Sequence, residues 1–246
     1  MKKFEIKGHD GPGRFGKLDG EETPIVIDKS KFTIIEDEPV SYDIEREIAI
    51  WSVNQTIAKA REIDEKEDKI ATIQGSKHVD LRIKCVKELE ELGYDKFIIA
   101  NGDDLILHPR DLVELIVNLR ENMKPGSILI FPFGEAQLIP LLAYLGVDGF
   151  FDDAGEYYAY LNVLMTPTKD YDLSKYHIYE MTTEELIDYN KNTIDFVLRE
   201  VREHMKKGGL RNLVEERSAT SPQYASALRI LDKDYKDYVL EYSQLY

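Results

Sequence analysis

The sequence predicts an α/β fold built from parallel βα units, on three observations. Short apolar runs typical of buried strands alternate with segments of helical periodicity between residues 70 and 151. Two of the helical segments are followed by a glycine, Gly93 and Gly146, as expected of helix C-caps. The chain of 246 residues is also long enough for one large domain with a sizeable core. Such alternation is typical of parallel sheets with right-handed crossovers.

The first forty residues predict a small N-terminal β-layer. Short extended pieces lie at Phe4–Lys7, Arg14–Leu18, Pro24–Asp28 and Lys31–Ile35, separated by turn residues. The glycine-rich segment Gly8–Gly16 lacks the strand-to-helix context of a phosphate-binding loop, so it is interpreted as a hairpin.

A long or broken helix is predicted within Tyr42–Glu65, and strands and helices then alternate. The strands are Ile70–Gln74, Phe97–Ala100, Ser127–Phe131 and Asp148–Phe151, and the helices are Asp80–Leu92, Asp111–Met123 and Ala136–Leu145. After Lys169 only helices are expected, at Thr183–Lys207, Leu210–Arg217 and Pro222–Leu231. The predicted organisation is a β-layer over residues 1–40, a βα barrel-like core over 41–168 and a helical segment over 169–246, within one structural domain.

The core contains a short internal sequence repeat and too few strands for a full barrel. Leu92–Phe97 and Leu145–Phe150 share the pattern L-G-x-D-x-F, which indicates either a barrel repeat or two similar helix-to-strand loops. Four clear strands fall short of the eight that close a βα barrel. The N-terminal segments or a second chain must complete the wall, or the sheet stays open.

Composition excludes several classes of function. No apolar run approaches the roughly 20 residues of a membrane span, and the N-terminus lacks a signal-peptide pattern, so we expect a cytoplasmic protein. The single cysteine, Cys85, excludes an internal disulfide and, by itself, a structural zinc site. The net charge of −15 disfavours nucleic acid as a whole-surface partner and leaves only a local basic face for it.

Candidate site residues follow the predicted strands, because ligands collect at the carboxyl ends of parallel strands. We expect a base pocket lined by Gln74, Gly75, Asn101 and Asp103. The Gln74 carboxamide could pair with a nucleobase edge, and Gly75 would let a flat ring approach the backbone. Asp152 and Asp153 are candidate catalytic carboxylates. Turn and helix-cap chemistry would explain the same residues without a function.

A basic cluster in the C-terminal helices is the candidate RNA contact. It comprises Lys206, Lys207, Arg211 and Arg217. Cations that compensate the dipole at a helix end are the alternative explanation. The five histidines show no metal-binding spacing, so no metal and no cofactor is expected.

Several segments, in order, resemble the tRNA-guanine transglycosylase family, especially its archaeal archaeosine branch. The opening Phe4-Glu5-Ile6-Lys7 with Gly13-Arg14-Phe15-Gly16 is similar to the start of that family. Gln74-Gly75-Ser76 with Asp80-Leu81-Arg82 is similar to its Q-G-x…D-L-R segment, and Leu145-Gly146-Val147-Asp148 to the L-G-x-D before its catalytic aspartate.

The C-terminal part resembles the same family. Leu210–Arg217 with Ala227-Leu228-Arg229 is similar to the helical end of the family's domain. The stretch Leu231-Asp232 to Tyr238 resembles the transglycosylase-like N-terminal domain of archaeosine synthase alpha. The resemblance implies a shortened TIM-barrel-like fold acting on tRNA, in conversion of a D-loop guanine site to archaeosine through a cyano-deazaguanine base.

The departures from the family pattern imply lost catalysis. The D-S-G-x-F-Q segment is absent, and the family nucleophile would fall on Phe151, one place before Asp152. A shift of one residue on a strand turns a side chain to the other face. The zinc cysteines have no counterpart between Thr166 and Thr182, and Tyr189 stands where the family has its ligand histidine.

The hypothesis from sequence is therefore a degenerate transglycosylase-like subunit without zinc. Its expected partners are tRNA and a catalytic archaeosine synthase chain or another transglycosylase-family subunit, with a homo-oligomer as a further option. Two alternatives stay open. One is an active transferase that uses Asp152, and the other is an α/β protein that binds a small molecule or Mg²⁺.

Overall fold

The computed structural model describes residues 4–242, and its chain begins with a small antiparallel sheet. Strand β1 (Phe4–Asp10) pairs with β2 (Gly13–Leu18), which pairs with β3 (Glu21–Thr23). Gly11 takes a positive φ of 58° in the turn between β1 and β2. The hairpin predicted for Gly8–Gly16 is confirmed.

A curled parallel sheet of six strands forms a half-barrel and positions the rest of the molecule. Its spatial order is β4-β9-β8-β7-β6-β5. The strands are β4 (Ile25–Val26), β5 (Thr33–Ile35), β6 (Lys69–Ile73), β7 (Lys96–Ile99), β8 (Ile128–Phe131) and β9 (Gly149–Phe150). The predicted α/β fold with a shortened barrel-like sheet is confirmed.

The two edge strands correct one expectation. Pro24–Asp28 and Lys31–Ile35 were assigned to the N-terminal layer, but they contain β4 and β5, which pair with β9 and β6. Only residues 27–32 separate these opposite edges in the chain, so the sheet must curl to bring them near each other. The N-terminal segments therefore supply part of the wall, one of the options that the strand count left open.

Side-chain alternation along the strands divides the core in two. Phe97, Leu129 and Phe131 belong to the larger buried cluster, which the outer helices cover. Ile70, Ile98 and neighbouring strand residues face the concave side and form a second cluster, whose other members include Leu18, Ile27, Ile128, Ile130 and Phe151. Because strand side chains alternate between faces, one sheet serves both clusters.

Six helices follow the strands along the chain. They are α1 (Arg46–Arg61), α2 (Val79–Glu91), α3 (Gly102–Leu107), α4 (Pro109–Asn122), α5 (Ile139–Leu145) and α6 (Asp153–Tyr160). Gly93 and Gly146 end α2 and α5 with φ of 96° and 106°, as their C-cap positions predict. The echoed pattern L-G-x-D-x-F therefore marks two helix-to-strand turns of the same kind.

A hairpin of β10 (Val163–Met165) and β11 (Asp170–Asp172) follows the half-barrel. The expectation that strands would not return after Lys169 was therefore wrong. Asn190 explains the hairpin's position, because its buried carboxamide donates to Val163 O at 3.0 Å and accepts from Met165 N at 2.8 Å. The Asn190 side chain on α7 thus hydrogen-bonds to the backbone of β10. Periodicity along the sequence does not predict such a contact between distant segments.

The chain ends in four helices, α7 (Thr183–Lys206), α8 (Leu210–Ser218), α9 (Pro222–Asp234) and α10 (Lys236–Glu241). Thr182 and Glu185 form a capping box at the start of α7. None of the helices between residues 4 and 242 combines the length and apolarity that a bilayer crossing requires.

Candidate functional site

One cavity opens at the carboxyl ends of the parallel strands. It has a volume of about 340 Å³, and we call it the mouth cavity. Gln74 after β6, with Asn101 and Asp103 after β7, line its wall. Three of the four predicted base-pocket residues therefore share one space, whereas Gly75 is not among the residues that line it.

The Gln74 carboxamide is held in one orientation by its neighbours. Its Oε1 accepts from the backbone N–H groups of Gly75 at 2.8 Å and Ser76 at 3.2 Å, and its Nε2 donates to Asp37 Oδ2 at 2.6 Å. Gln74 is 1% exposed. Most of its hydrogen-bonding capacity is therefore used within the protein.

Asp37 is the wall residue that the sequence assignment missed. It follows β5, so its carboxylate meets Gln74 across the sheet edge and lines the mouth cavity. The signal was present as an acidic residue just after an apolar run, but Lys31–Ile35 had been assigned to the N-terminal layer. Placing β5 in the main sheet makes Asp37 a strand-end residue like Gln74.

A buried arginine joins the two strand-end loops behind the mouth cavity. Arg82 on α2 donates from Nε to Ser76 O at 2.7 Å, from Nη1 to Ile73 O at 3.0 Å and from Nη2 to Asn101 Oδ1 at 3.4 Å. Burial lowers the pKa of Arg82 to about 10, so the group stays charged at neutral pH. These contacts fix the loops after β6 and β7 relative to each other.

Gly75 and Asn101 take the backbone conformations that this arrangement requires. Gly75 has φ of +151°, and a Cβ there would lie 2.6 Å from Arg82 Cγ. Asn101 has φ of 56°, and its Nδ2 donates to Val40 O at 3.0 Å. The sequence offers two explanations of Gly75 and Asn101, a base pocket and turn chemistry. Both apply, because the turns that these residues form shape the cavity wall.

Asp152 and Asp153 lie at the end of β9, outside the wall of the mouth cavity. Asp152 precedes α6 and lies 3.7 Å from Lys191 Nζ, and Asp153 forms an ion pair with Lys29. Phe151 is buried in the concave cluster. The family nucleophile was compared with two positions, 151 and 152. The apolar Phe151 lies in the interior, and the Asp152 carboxylate lies near Lys191 of α7.

The predicted basic cluster is paired with carboxylates. Arg211 contacts Asp232 at 2.6 Å and Glu215 at 2.8 Å, and Arg217 contacts Glu200 at 2.7 Å while buried. Lys206 pairs with Glu22 at 2.9 Å and Glu203 at 3.0 Å, and Lys207 lies 4.0 Å from Glu203. Because these cations are paired with carboxylates, they attract a phosphate less strongly than four unpaired cations would.

A pair of carboxyl groups, the buried Glu135 and the partly buried Asp170, lies beyond the end of β8. Glu135 accepts from the Tyr158 hydroxyl at 2.5 Å and the Tyr224 hydroxyl at 2.7 Å, which ties α6 and α9 to the strand end. Burial and the charge of Glu135 raise the pKa of Asp170 to about 7. Gln137 Nε2 donates to Asp170 Oδ2 at 2.9 Å.

Two motifs of the family resemblance, the opening segment and L-G-x-D, meet at the other end of the sheet. Arg14 donates from Nε to Asp148 Oδ1 at 2.6 Å and from Nη2 to Oδ2 at 2.7 Å, and Arg120 also pairs with Asp148. We call these three residues the amino-end cluster. Burial opposes ionisation of Asp148, but the Arg120 and Arg14 charges outweigh it and lower its pKa.

No group of three or more His, Cys, Asp or Glu side chains between residues 4 and 242 is placed to hold a metal ion. Cys85 is a buried residue of α2, and burial raises the pKa of its thiol to about 12. The arrangement at the mouth is therefore one of hydrogen-bonding groups: carboxylates, carboxamides and backbone. A curled βα sheet with such groups around a strand-end cavity defines a βα half-barrel, and strand ends are where ligands bind in folds of this class.

Comparison with known proteins identifies the family. The family model described as TGT, queuine tRNA-ribosyltransferase, matches residues 29–186, more than half of the chain. The chain therefore belongs to this family, and the resemblance inferred from its motifs is confirmed.

Curated relatives carry related names. The chain is 35% identical over 161 residues to archaeosine synthase of Methanocaldococcus jannaschii, across 65% of this chain and 26% of that protein. It is 26% identical to the tRNA-guanine(15) transglycosylase of the same organism, across 92% of this chain and 40% of the relative. The Thermococcus kodakarensis transglycosylase is 28% identical, with 82% and 39% covered. The chain thus spans less than half the length of these relatives.

Proposed function

We propose that this chain is a cytoplasmic tRNA-modification protein of the archaeosine pathway, a transglycosylase-like subunit that binds a guanine-type base without zinc and without base exchange of its own. Its partners are tRNA and a catalytic archaeosine synthase chain, or another transglycosylase-family subunit. The names of the relatives, archaeosine synthase and tRNA-guanine(15) transglycosylase, support the pathway. The single observation that carries the binding role is the pairing of Asp37 with Gln74 in the mouth cavity.

The chemistry of this pairing fits a base with neighbouring N–H donors. Gln74 Nε2 binds only one oxygen of Asp37 at 2.6 Å, so the carboxylate keeps acceptor capacity toward the cavity. A guanine-type base presents a ring N–H beside an exocyclic amine, and one carboxylate can accept from both. The volume of about 340 Å³ is within the range of small-molecule sites.

Two arrangements support the absence of base exchange by the chain alone. Asp152 and Asp153 lie outside the wall of the mouth cavity, each beside a lysine. Phe151 fills the neighbouring interior position. A net charge of −15, with the basic cluster paired to carboxylates, favours a partner that supplies most of the cationic surface for tRNA.

Binding of the purified chain to tRNA that carries the cyano-deazaguanine base, measured across a salt series, tests the proposal. We expect salt-sensitive binding in the mixture with an archaeosine synthase chain and much weaker binding alone. A Gln74→Ala variant should bind the base and tRNA more weakly. Equal binding by Gln74→Ala and wild type would contradict the pocket, and no binding in the mixture would contradict the tRNA role.

An active transferase is the second candidate, since Asp152 does lie at a strand end. In that case labelled guanine would enter tRNA, and Asp152→Asn would abolish the incorporation. Binding of Mg²⁺ or a small molecule is the third candidate, because Asp37 and Asp103 both line the mouth cavity. Thermal stabilisation by Mg²⁺ and not by tRNA would favour it.

A further inference from the structure

A second cavity, of about 420 Å³, lies at the opposite end of the sheet from the mouth cavity. It forms where β1 and β2 meet α4 and α10, and its wall includes His9, Arg14, Arg120 and Tyr238. We call it the amino-end cavity because its floor is the amino-end cluster, next to the residues that precede β8 and β9. The proposed function makes no use of this space.

The floor of the amino-end cavity carries an excess of positive charge. Two buried guanidinium groups, Arg14 and Arg120, share the single carboxylate of Asp148, which leaves one positive charge uncompensated. Their other acceptors are backbone carbonyls, among them Pro125 O at 2.6 Å from Arg14 and Gly146 O at 2.7 Å from Arg120. Carbonyl oxygens solvate a cation but carry no formal charge, and a buried charge without a counter-ion is costly.

Charges at the rim do not cancel this excess. Glu121, Lys124 and Glu241 also line the cavity, but all three are exposed. Exposed charges interact through water and are screened by salt, whereas buried charges are screened much less. The floor therefore dominates the potential inside the cavity.

His9 adds a polar group to the wall. Its Nδ1 is buried and has no hydrogen-bond partner among residues 4–242, and its ring stacks on Tyr242 with centroids 4.9 Å apart. Burial and the Arg14 charge lower the pKa of His9.

We propose that the amino-end cavity binds an oxyanion, the phosphate or carboxylate group of a small molecule, on Arg14 and Arg120 with His9 beside it. The planar guanidinium matches either oxyanion in geometry and charge. Ile6 and Met123 in the same wall offer apolar contact for the body of the ligand. The site is independent of base binding at the mouth.

Histidine NMR on the full chain tests the proposal. Inorganic phosphate and citrate are titrated in separate arms, with sodium chloride at matched ionic strength as the control. We expect the bound anion to raise the pKa of His9 and leave His78, His108, His177 and His204 unchanged. A response to phosphate alone or to citrate alone supports the site and assigns the oxyanion. Equal changes in all five histidines, or none beyond the salt control, would overturn it.

Matched variants distinguish anion binding in the amino-end cavity from a general effect of surface charge. Lys124→Met removes a cation at the rim and should weaken binding of the responding anion roughly twofold to fivefold. Lys175→Met removes an exposed cation outside the cavity and should leave affinity unchanged. Equal weakening by both variants would overturn the proposal. Because Lys124 and Lys175 are both exposed, neither test depends on a variant that disturbs the core.

Discussion

The two ends of the half-barrel sheet each bury arginine, with opposite consequences. At the amino end, Arg14 and Arg120 share one carboxylate, that of the fully buried Asp148. At the mouth, Arg82 binds only carbonyl and carboxamide oxygens, and the nearby carboxylate of Asp37 stays in the cavity wall. The amino end joins distant segments of the chain and keeps an excess of positive charge, whereas the mouth keeps carboxylate oxygens in the wall of a cavity.

The comparison also shows that different family motifs have different structural roles. Arg14 and Asp148 are 134 residues apart and belong to two motifs of the resemblance, yet they form one structural ion pair. Gln74 and Arg82 belong to a third motif set and shape the mouth cavity. Motif membership alone therefore does not distinguish a residue that lines the mouth cavity from one that stabilises the sheet.

Removing the shared carboxylate should give the largest effect. Asp148→Asn leaves two buried guanidinium groups without a counter-ion, so we expect the free energy of unfolding to fall by about 3–5 kcal/mol. Urea denaturation measures it, with the exposed Asp153→Asn as the matched control at about 0–1 kcal/mol. Equal losses in both variants would contradict the structural role of the amino-end cluster.

Removing the arginine at the mouth should have a smaller effect on stability and a larger one on binding. Arg82→Met leaves Ser76 O and Ile73 O without their donor, at a cost of about 2–4 kcal/mol in unfolding free energy. Loss of the fixed loops should also abolish base binding, as measured by calorimetry. Full binding in a destabilised Arg82→Met protein would show that the loops need no such support.

The carboxyl pair predicts a pH dependence of stability. The pKa of Asp170 is raised to about 7, so the folded state holds a proton that the unfolded state releases near pH 4. Stability should therefore fall by about 3–4 kcal/mol as pH rises from about 4 to 7. In Asp170→Asn this contribution should disappear from the stability profile measured by denaturation. The same decline in the variant would assign the effect to another group.

Replacing the acceptor in the mouth cavity should alter binding with little change in stability. Asp37→Asn turns an acceptor that can take two N–H donors into a carboxamide, so guanine affinity should fall about tenfold, or 1.4 kcal/mol. Calorimetric titration with guanine measures this, and the neighbouring exposed Glu36→Gln is the control. An equal loss in Glu36→Gln would indicate a general charge effect.

The smallest stability effect is expected in the basic cluster. Replacing Lys206 and Lys207 by Ala should change the free energy of unfolding by less than about 0.5 kcal/mol, because both are surface groups. If they contact phosphate in the mixture with a synthase chain, the salt slope of tRNA binding should fall by about two. An unchanged slope would remove them from the interface.

Periodicity predicted most of the fold correctly, and failed where contacts are long-range. Local patterns predicted the strands that begin near Ile70 and Phe97 and the glycine caps at Gly93 and Gly146. The structure confirms these elements. The hairpin of β10 and β11 was missed, because it depends on Asn190, 25 residues from the Met165 N–H that it binds. The helix α6 was also missed, because it directly follows the short strand β9.

The sequence by itself determined the α/β class, the family resemblance and the strand-end position of Gln74, Asn101 and Asp103, because these depend on local periodicity and on motifs. Only the tertiary structure decided that β4 and β5 form the two edges of the sheet, that Asp37 meets Gln74 and that Arg14 meets Asp148. Those pairings join residues 37 and 134 positions apart. Sheet order and long-range ion pairs bring such residues together, and no periodicity along the chain encodes them.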